Sequence, residues 1–503
     1  MIKDTLHDET PIIKDTEEEF MVGGGDSGKT VRRIAVVGGG AAGMACAWSL
    51  SRHPESFHVT VLESLDSTGG VASTSRVTPE KGYPGGENGV DINDQVQGGA
   101  PSYKNNLLFF KEFGFEPHEV DFKIAFGQGE YAWKNYGNQS SLVQGLQKDI
   151  ARFGKVLKMC YRFEPIFVFI PIHRVLKWWG FSEEFQTRMV FPLTALFFGT
   201  GNQTPYVSAA VIARVFLDPE LRLFEYSSTS LLDQVPKMFA FPKLGTIFSA
   251  IASKIASYPG NRVLTSAPVS RIDRAKGVVR IYSEALKDGC EEFDDVVLCC
   301  GAEQALSMLG KGAGMMEKRF LKNVSYYNDL IVTHEDEEYM SSHYEFDRDE
   351  DMYFIRCDPE DPKLIEMSFN LSAYQPHLQE KQANIYQSIF LDDRNKDRWT
   401  NTSIGRLRIL KERMTRQFAH TWKHFAFWVP FVRFLQGHKH TWYAGSYTLF
   451  NTHEIAVMSG LAAADRLGAT YPFKDDPFAY KQFKTYFRLA HGIFARMHPS
   501  PAK

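Results

Sequence analysis

Two apolar runs near the start of the chain, separated by a small-residue segment, predict a β-α-β unit. Residues 34–37 (IAVV) are apolar and end in glycines, which is typical of a buried parallel strand. Residues 41–50 continue as a helix, and residues 58–62 alternate in the manner of a second strand. This order predicts an α/β fold built on a parallel sheet.

The rest of the chain predicts further strands and an aromatic helical part. Residues 142–235 are mainly helical in pattern and rich in Phe, Trp and Leu, and residues 318–400 are richer in strands. Residues 295–301 (DVVLCCG) form another buried strand, and residues 441–468 give a strand that ends in a glycine, then a small-residue helix. Aromatic runs such as PIFVFIPIHRVLKWWGF are typical of a core, although a substrate cavity would use them too.

Glycines between the first strand and helix carry the main chemical signal. Gly38, Gly40 and Gly43 give the spacing G-x-G-x-x-G. In such a loop the first glycine allows a tight turn, the second lets the backbone approach a pyrophosphate, and the third lets the helix pack closely. Glu63 ends the second strand, where an acid binds ribose hydroxyls and repels a 2′-phosphate. The pattern predicts an FAD or NAD site and disfavours NADP.

Length and composition narrow the class of protein. A chain of 503 residues exceeds the roughly 250–300 residues at which one core usually divides, so two interlocked domains are expected. The net charge of −3 gives no reason to expect a nucleic-acid partner. Six cysteines show no metal-ligand spacing and predict no metal site. The acidic, polar N-terminus predicts no signal peptide, which favours a reducing, intracellular setting, most simply the cytoplasm. No apolar run reaches the roughly 18 residues of a spanning helix.

The first 30 residues contain a second glycine-rich motif. This segment is acidic and lacks periodicity, which predicts a disordered tail without a signal peptide. Its sequence GGGDSGKT matches the phosphate-loop pattern, but that loop needs a buried strand before it and a helix after it. A strand follows instead, so the motif is interpreted as a flexible linker.

Basic and aromatic residues alternate through residues 406–440. Eight Lys or Arg accompany one acid, Glu412, and several Phe and Trp residues. Positive charge beside exposed aromatics is typical of a helix that lies on an anionic membrane. The alternative is the basic face of a helix whose aromatics are core, and both interpretations stay open.

Later motifs resemble the flavin-containing amine oxidoreductases, the superfamily of monoamine oxidases, phytoene desaturases and protoporphyrinogen oxidases. Residues 67–71 (STGGV) are similar to the family's second fingerprint, and residues 89–97 to its extended segment beside the flavin. The ending W-Y-x-G … H-E … S-G-x-x-A-A is most similar to a bacterial and fungal subgroup found beside cyclopropane fatty acid synthases.

The resemblance implies a Rossmann-like FAD-binding domain of the glutathione-reductase type with an inserted α+β substrate domain. The FAD-binding domain would comprise residues 31–105, 240–310 and 436–470, the substrate domain 106–239 and 311–435, and a C-terminal helical tail 471–503. Non-covalent FAD is expected, since no cysteine follows Cys357. The predicted cofactor-binding residues are Gly38, Gly40, Ala42, Gly43, Glu63, Ser64, Gly69, Gly70, Val71, Val96, Gln97, Val269, Gly301, Gly445, Ser446, His453, Glu454 and Ile455.

The implied activity is oxidation or desaturation of an apolar, lipid-like substrate by hydride transfer to the flavin N5. Tyr443, Tyr447 and His453 are the candidate catalytic residues. Two departures from the family, Asn93 and Ser446, put typical amine oxidation in doubt. The alternatives are a fatty-acid double-bond isomerase, and a non-catalytic FAD-binding protein that touches a membrane through residues 406–440.

Overall fold

The computed structural model describes residues 31–78, 89–199, 201–219, 224–232, 234–275, 277–378 and 384–492. The predicted tail at 1–30, with its phosphate-loop motif, lies outside the described residues.

The strands of the described residues are β1 Arg32–Val37, β2 Phe57–Leu62, β3 Ala72–Val77, β4 Val90–Gln95, β5 Gly98–Gly99, β6 His118–Asp121, β7 Ile124–Phe126, β8 Trp133–Lys134, β9 Lys237–Ala240, β10 Arg262–Leu264, β11 Arg271–Ala275, β12 Val278–Tyr282, β13 Cys290–Phe293, β14 Asp295–Leu298, β15 Tyr326–His334, β16 Tyr353–Cys357, β17 Ile365–Asn370, β18 Tyr386–Phe390, β19 Ile409–Phe418 and β20 Thr441–Tyr443.

The α-helices are α1 Ala41–Ser51, α2 Lys104–Lys111, α3 Ser141–Gly145, α4 Gln147–Arg162, α5 Glu164–Phe167, α6 Ile172–Trp178, α7 Phe191–Phe198, α8 Ala209–Leu217, α9 Leu244–Ala256, α10 Ala302–Leu309, α11 Met315–Leu321, α12 Glu337–His343, α13 Leu371–Tyr374, α14 Trp422–Phe427, α15 His453–Leu467 and α16 Pro477–His491. A π-helical turn, Phe185–Val190, leads into α7.

A parallel sheet organises the first domain. Its strand order is β10-β2-β1-β14-β20, and every neighbouring pair runs parallel. Strands β1, β2 and β14 are almost entirely buried, which explains their near-continuous apolar sequences. All five strands end at the same edge of the sheet, where ligands of open α/β sheets bind.

A second sheet lies in the part of the chain predicted to be the substrate domain. Seven strands lie in the order β19-β15-β18-β17-β16-β7-β8, and among these only β16 and β7 pair in parallel. Two distant segments of the chain build this sheet, and helices α3 to α8 precede its second segment in the chain. The architecture confirms the predicted α/β class with an inserted α+β domain, while the boundaries given to the domains stay predictions.

Residues 406–440 do not form the helix that both interpretations assumed. They contain the ten-residue strand β19 and the short helix α14, with 3₁₀ turns around them. The strand β19 lies at the edge of the second sheet and pairs with β15, and its successive side chains point to opposite faces of that sheet. Phe425 and Trp428 are buried, whereas Phe427 and Phe434 are exposed.

Candidate functional site

The glycine-rich loop joins β1 to α1 at the carboxyl edge of the parallel sheet. Gly38 has φ +105°, a conformation that favours glycine. A Cβ at Gly43 would lie 1.8 Å from the carbonyl oxygen of Gly38, so this position cannot carry a side chain. At Gly40, φ is −72°, and an added Cβ would meet its nearest atom, the Gly69 oxygen, only at 3.9 Å. Close packing therefore explains why residue 43 is a glycine, whereas the space beside Gly40 is open.

Glu63 lies at the end of β2, beside this loop. Its buried carboxylate accepts hydrogen bonds from the amide of Gly39 at 2.6 Å, the amide of Leu65 at 2.8 Å and the hydroxyl of Ser64 at 3.1 Å. A carboxylate has about four acceptor positions, so one is left for a hydroxyl group. Backbone bonds from Ser266 and Ala267 to the Leu65 and Glu63 carbonyls bring the segment that contains Val269 alongside.

The second glycine pair lies against the first loop. The amide of Gly69 donates to the Gly39 carbonyl at 2.8 Å, and Gly40 and Gly69 form a parallel bridge. Gly70 has φ +61°, and a Cβ there would lie 3.2 Å from the Gly40 Cα. Val71, which follows, is exposed. The first glycine-rich loop and the second glycine pair therefore form one continuous surface, although 25 residues or more separate them in the chain.

The closing helix α15 reaches the same edge of the sheet. It follows β20, whose neighbour β14 leads to Gly301, the N-cap of α10. A Cβ at Gly460 would lie 2.0 Å from the Ala42 carbonyl oxygen, so the small residues of α15 let it pack directly on α1. Gly445 has φ +137° and donates its amide to Ser459. The hydroxyl of Ser446 lies 3.4 Å from the Asn451 side-chain oxygen.

The N-terminus of α15 presents two amides. Thr452 is the N-cap, and its hydroxyl accepts from the Ile455 amide at 3.2 Å. Among the residues that the structure describes, the amides of His453 and Glu454 have no partner. Free amides and the positive end of a helix dipole favour an electron-rich group.

The side chains of His453 and Glu454 point into the protein. Asn106 Oδ1 lies 2.7 Å from His453 Nδ1, and rings of Phe110, Phe241 and Phe248 surround the imidazole. Burial lowers the pKa of His453 to about 4, so it is neutral at pH 7. Its Nε2 has no partner within the described residues.

Glu454 accepts three hydrogen bonds from Asn105 and Asn106, at 2.8–2.9 Å. Burial raises the pKa of Glu454 to about 7, although these bonds act in the opposite direction. The carboxylate occupies the N-terminus of α2, which gives it a structural role in joining α2 to α15.

The two candidate tyrosines have different surroundings. Tyr443 donates at 2.6 Å to Glu317, which also pairs with Arg274, so its hydroxyl is used in a buried ion cluster. The hydroxyl of Tyr443 therefore already has a partner inside the protein. The ring of Tyr447 lies over Gly445 and stacks on Trp428, and its buried hydroxyl has no partner among the described residues. It is available to a bound molecule in a way that Tyr443 is not.

The extended segment after β4 turns sharply. Gln95 has φ +64°, Val96 is half-buried, and the buried Gln97 donates to the Asn93 carbonyl at 2.9 Å. The Asn93 side chain itself bonds the carbonyls of residues 241 and 242 and the amide of Leu244. Asn93 thus anchors the start of α9, which gives this polar side chain a structural role.

A buried polar group that sequence reasoning missed lies next to this segment. The carboxylate of Asp94 pairs with Lys411 at 2.8 Å and Arg413 at 3.0 Å, both from β19. Burial alone would raise the pKa of Asp94, but these two cations outweigh burial and lower it. We call Asp94, Lys411 and Arg413 the polar seam, because it joins β4 to the substrate sheet. Two cations of residues 406–440, for which a membrane face was one of two interpretations, thus pair with a buried carboxylate.

A groove of about 790 Å³ opens elsewhere, between the starts of α2 and α16. Its walls are Pro101, Ser102, Lys104, Pro219, Pro236, Lys237, Asp476, Pro477 and Phe478. None of the predicted site residues lines it.

The glycine loop fits a dinucleotide. Gly40 has the space that a pyrophosphate needs, Glu63 keeps an acceptor position for a ribose, and α15 presents free amides at the same edge. Structure and sequence therefore agree on the kind of site.

One family model matches the first part of the chain. Residues 36–100 match the model of the NAD(P)-binding Rossmann-like domain. A search of curated protein sequences finds no significant match to this chain. Within the described residues no helix is both long and apolar enough to cross a membrane.

Three solved structures are similar over nearly their whole length. A CLA-producing fatty acid isomerase from P. acnes has 16% sequence identity and a TM-score of 0.58, covering 88% of this chain and 99% of its own. A protein described as a putative protoporphyrinogen oxidase from Exiguobacterium sp. 255-15 has 12% identity and a TM-score of 0.58, covering 88% and 99%. Cyclohexylamine oxidase from Brevibacterium oxydans IH-35A has 14% identity and a TM-score of 0.59, covering 87% and 100%. The resemblance to the flavin-containing amine oxidoreductases is confirmed, and at these identities it is a likeness of fold.

Proposed function

We propose that the protein is an FAD-dependent oxidoreductase that removes a hydride from an apolar, lipid-like substrate. The observation that carries this proposal is the open space at Gly40, in a loop where the neighbouring Gly43 is sterically required. The shared fold with amine oxidases supports the flavin in preference to a nicotinamide cofactor. The six cysteines are free thiols, which supports an intracellular setting.

Each part of the site has a task in binding the cofactor. Glu63 would accept from the ribose of the adenosine, and the backbone at Gly40 would lie along the pyrophosphate. The amides of His453 and Glu454 would stabilise negative charge at the far end of the cofactor. Bound FAD supplies the hydride-accepting chemistry.

Tyr447 and His453 would position the substrate and exclude water. Tyr447 offers its hydroxyl as a hydrogen-bond donor, and His453 stays neutral, so neither brings a full charge to an apolar substrate. Hydride removal can proceed without a side-chain base, and the role of these residues is therefore orientation.

The absorbance spectrum of the purified protein tests the cofactor. We expect flavin bands that pass into the supernatant after heat denaturation, which also shows non-covalent attachment. Anaerobic titration with fatty acids and with amines then tests the substrate class, and we expect lasting flavin reduction with a fatty acid. A colourless protein that takes up no added FAD would contradict the proposal.

A fatty-acid double-bond isomerase is the second candidate. The fatty acid isomerase from P. acnes supports it, because this chain covers 99% of that structure. An isomerase would produce a conjugated-diene absorbance without net reduction of the flavin. If flavin is bound but neither change occurs with any lipid or amine, the non-catalytic alternative is favoured.

A further inference from the structure

An exposed aromatic surface lies on helices α5 and α6 of the substrate domain. Phe169 is 50% exposed, and Ile166 and Trp178 are each 60% exposed. We call the following set the aromatic face: Phe163, Ile166, Phe169, Trp178, Trp179 and Tyr206. Soluble monomers rarely leave many large apolar side chains exposed together, and such patches mark interaction sites.

Contacts hold this face together. The rings of Phe167 and Trp179 are 6.3 Å apart, which brings the end of α6 back to α5. Tyr206 packs on His173 near the start of α6, with ring centroids 5.3 Å apart. The inner residues of α5 and α6, such as Phe167 and Val175, are buried, so the core of the domain is already filled without the aromatic face.

The charge around the aromatic face is positive. Residues 151–182 contain six Lys or Arg and one acid, Glu164, which pairs with Arg214. The acids that flank this stretch are Asp149, which pairs with Arg152, and the exposed Glu183 and Glu184, so positive charge still predominates. Five of the six are exposed and form no ion pair within the described part of the chain: Lys155, Lys158, Arg162, Arg174 and Lys177. Free cations beside Trp, Tyr and Phe match an anionic lipid surface, where the rings enter the interface and the cations meet the headgroups.

We infer that the aromatic face docks the protein onto the surface of an anionic membrane. The contact is peripheral, since no described helix can cross a bilayer. It differs from the surface predicted at 406–440, where Lys411 and Arg413 are used in the polar seam and Arg416 pairs with Glu303. The inference does not depend on the reaction proposed above, because binding to lipid is measured without turnover.

Flotation of the full chain with vesicles tests this inference. The vesicles contain phosphatidylcholine, with or without phosphatidylserine. We expect the double variant Phe169→Ser, Trp178→Ser to lose vesicle binding by about tenfold or more, because two aromatic side chains no longer enter the interface. The matched control is Phe427→Ser, Phe434→Ser, which removes the exposed aromatics of the 406–440 segment and should leave binding unchanged. Circular dichroism and thermal unfolding show whether both variants keep the fold.

A charge variant separates lipid binding from general hydrophobic adhesion. Lys177→Ser should weaken binding to vesicles with phosphatidylserine by about fivefold and leave binding to phosphatidylcholine alone unchanged. Three results would overturn the inference. They are absence of vesicle binding by the wild type, loss of binding in the 406–440 control, and self-association of the wild type that the aromatic-face variant abolishes without any lipid binding.

Discussion

The glycine loop and the polar seam are held together by opposite means. Around the loop, close backbone contacts decide the geometry. A Cβ at Gly43 would lie 1.8 Å from the Gly38 carbonyl oxygen, and one at Gly460, where α15 packs on α1, would lie 2.0 Å from that of Ala42. In the seam, long side chains bridge two domains, and the buried Asp94 is held by cations from a strand more than 300 residues away. An added atom at Gly43 would therefore break packing, whereas the seam depends on the charge of its three residues.

The two regions are therefore tested by different kinds of substitution. At a tightly packed backbone site, one added methyl group disturbs the packing and lowers the free energy of unfolding by the same amount at every pH. At a charged or buried titratable site, the free energy of unfolding changes with charge and with pH. The size of this change depends on how far the group is exposed to water. Substitutions ordered by their expected effect on stability can confirm or break the distinction.

Gly43→Ala should have the largest effect on stability. The new Cβ would lie 1.8 Å from the Gly38 oxygen, and this backbone atom cannot move without shifting α1. We expect a loss of about 3 kcal/mol or more in the free energy of unfolding, measured by chemical denaturation. Gly145→Ala is the matched control, since a Cβ there meets nothing within 4 Å, and it should be neutral or slightly stabilising. Equal effects of the two substitutions would refute the steric interpretation of the loop.

His453→Phe should change how stability depends on pH. The pKa of His453 is lowered from 6.5 to about 4 by burial, so its folded form favours the neutral ring. Its contribution is complete above pH 6.5 and is lost as pH falls towards 4, because the unfolded chain binds the proton first. Between pH 7 and 4.5 the wild type should lose about 2–3 kcal/mol more than the variant.

The other buried histidines are the same in both proteins, so the difference between wild type and variant isolates His453. A Phe at this position would lie among the rings of Phe110, Phe241 and Phe248. Identical pH profiles of unfolding for the two proteins would contradict the prediction.

Asp94→Asn should destabilise the polar seam by about 1–2 kcal/mol, since Lys411 and Arg413 would lose their shared charge partner while partly desolvated. The cost stays modest because about 30% of each cationic side chain remains exposed, 30% for Lys411 and 28% for Arg413. Adding Lys411→Met to this variant should recover part of the loss. Denaturant unfolding of the two single variants and the double variant measures the coupling, and strictly additive effects would show that the seam is not a functional pair.

The loop could be predicted from the sequence and the seam could not, for a physical reason. Gly38, Gly40, Gly43 and Glu63 are close in the chain, and local spacing reflects the strand, turn and helix that they form. Asp94 and β19 meet only in the folded protein, so Lys411 and Arg413 had the pattern of a basic surface. Tyr443 was a candidate catalytic residue, and the partner of its hydroxyl could not be found from the sequence, because Glu317 comes from a different part of the chain.

Gly40→Ala should have the smallest effect on stability and a large effect on cofactor binding. At φ −72° an alanine is allowed, and its Cβ would meet the protein only at 3.9 Å, so we expect a loss below about 1 kcal/mol from the N-cap position. The same methyl group would fill the space beside the loop, and we expect the Kd for FAD to rise about tenfold or more. Titration of the apoprotein with FAD, followed by fluorescence, measures this change beside denaturant unfolding of the same sample. A variant that binds FAD like the wild type would place the cofactor elsewhere, whereas a variant that unfolds like Gly43→Ala would make Gly40 a packing residue.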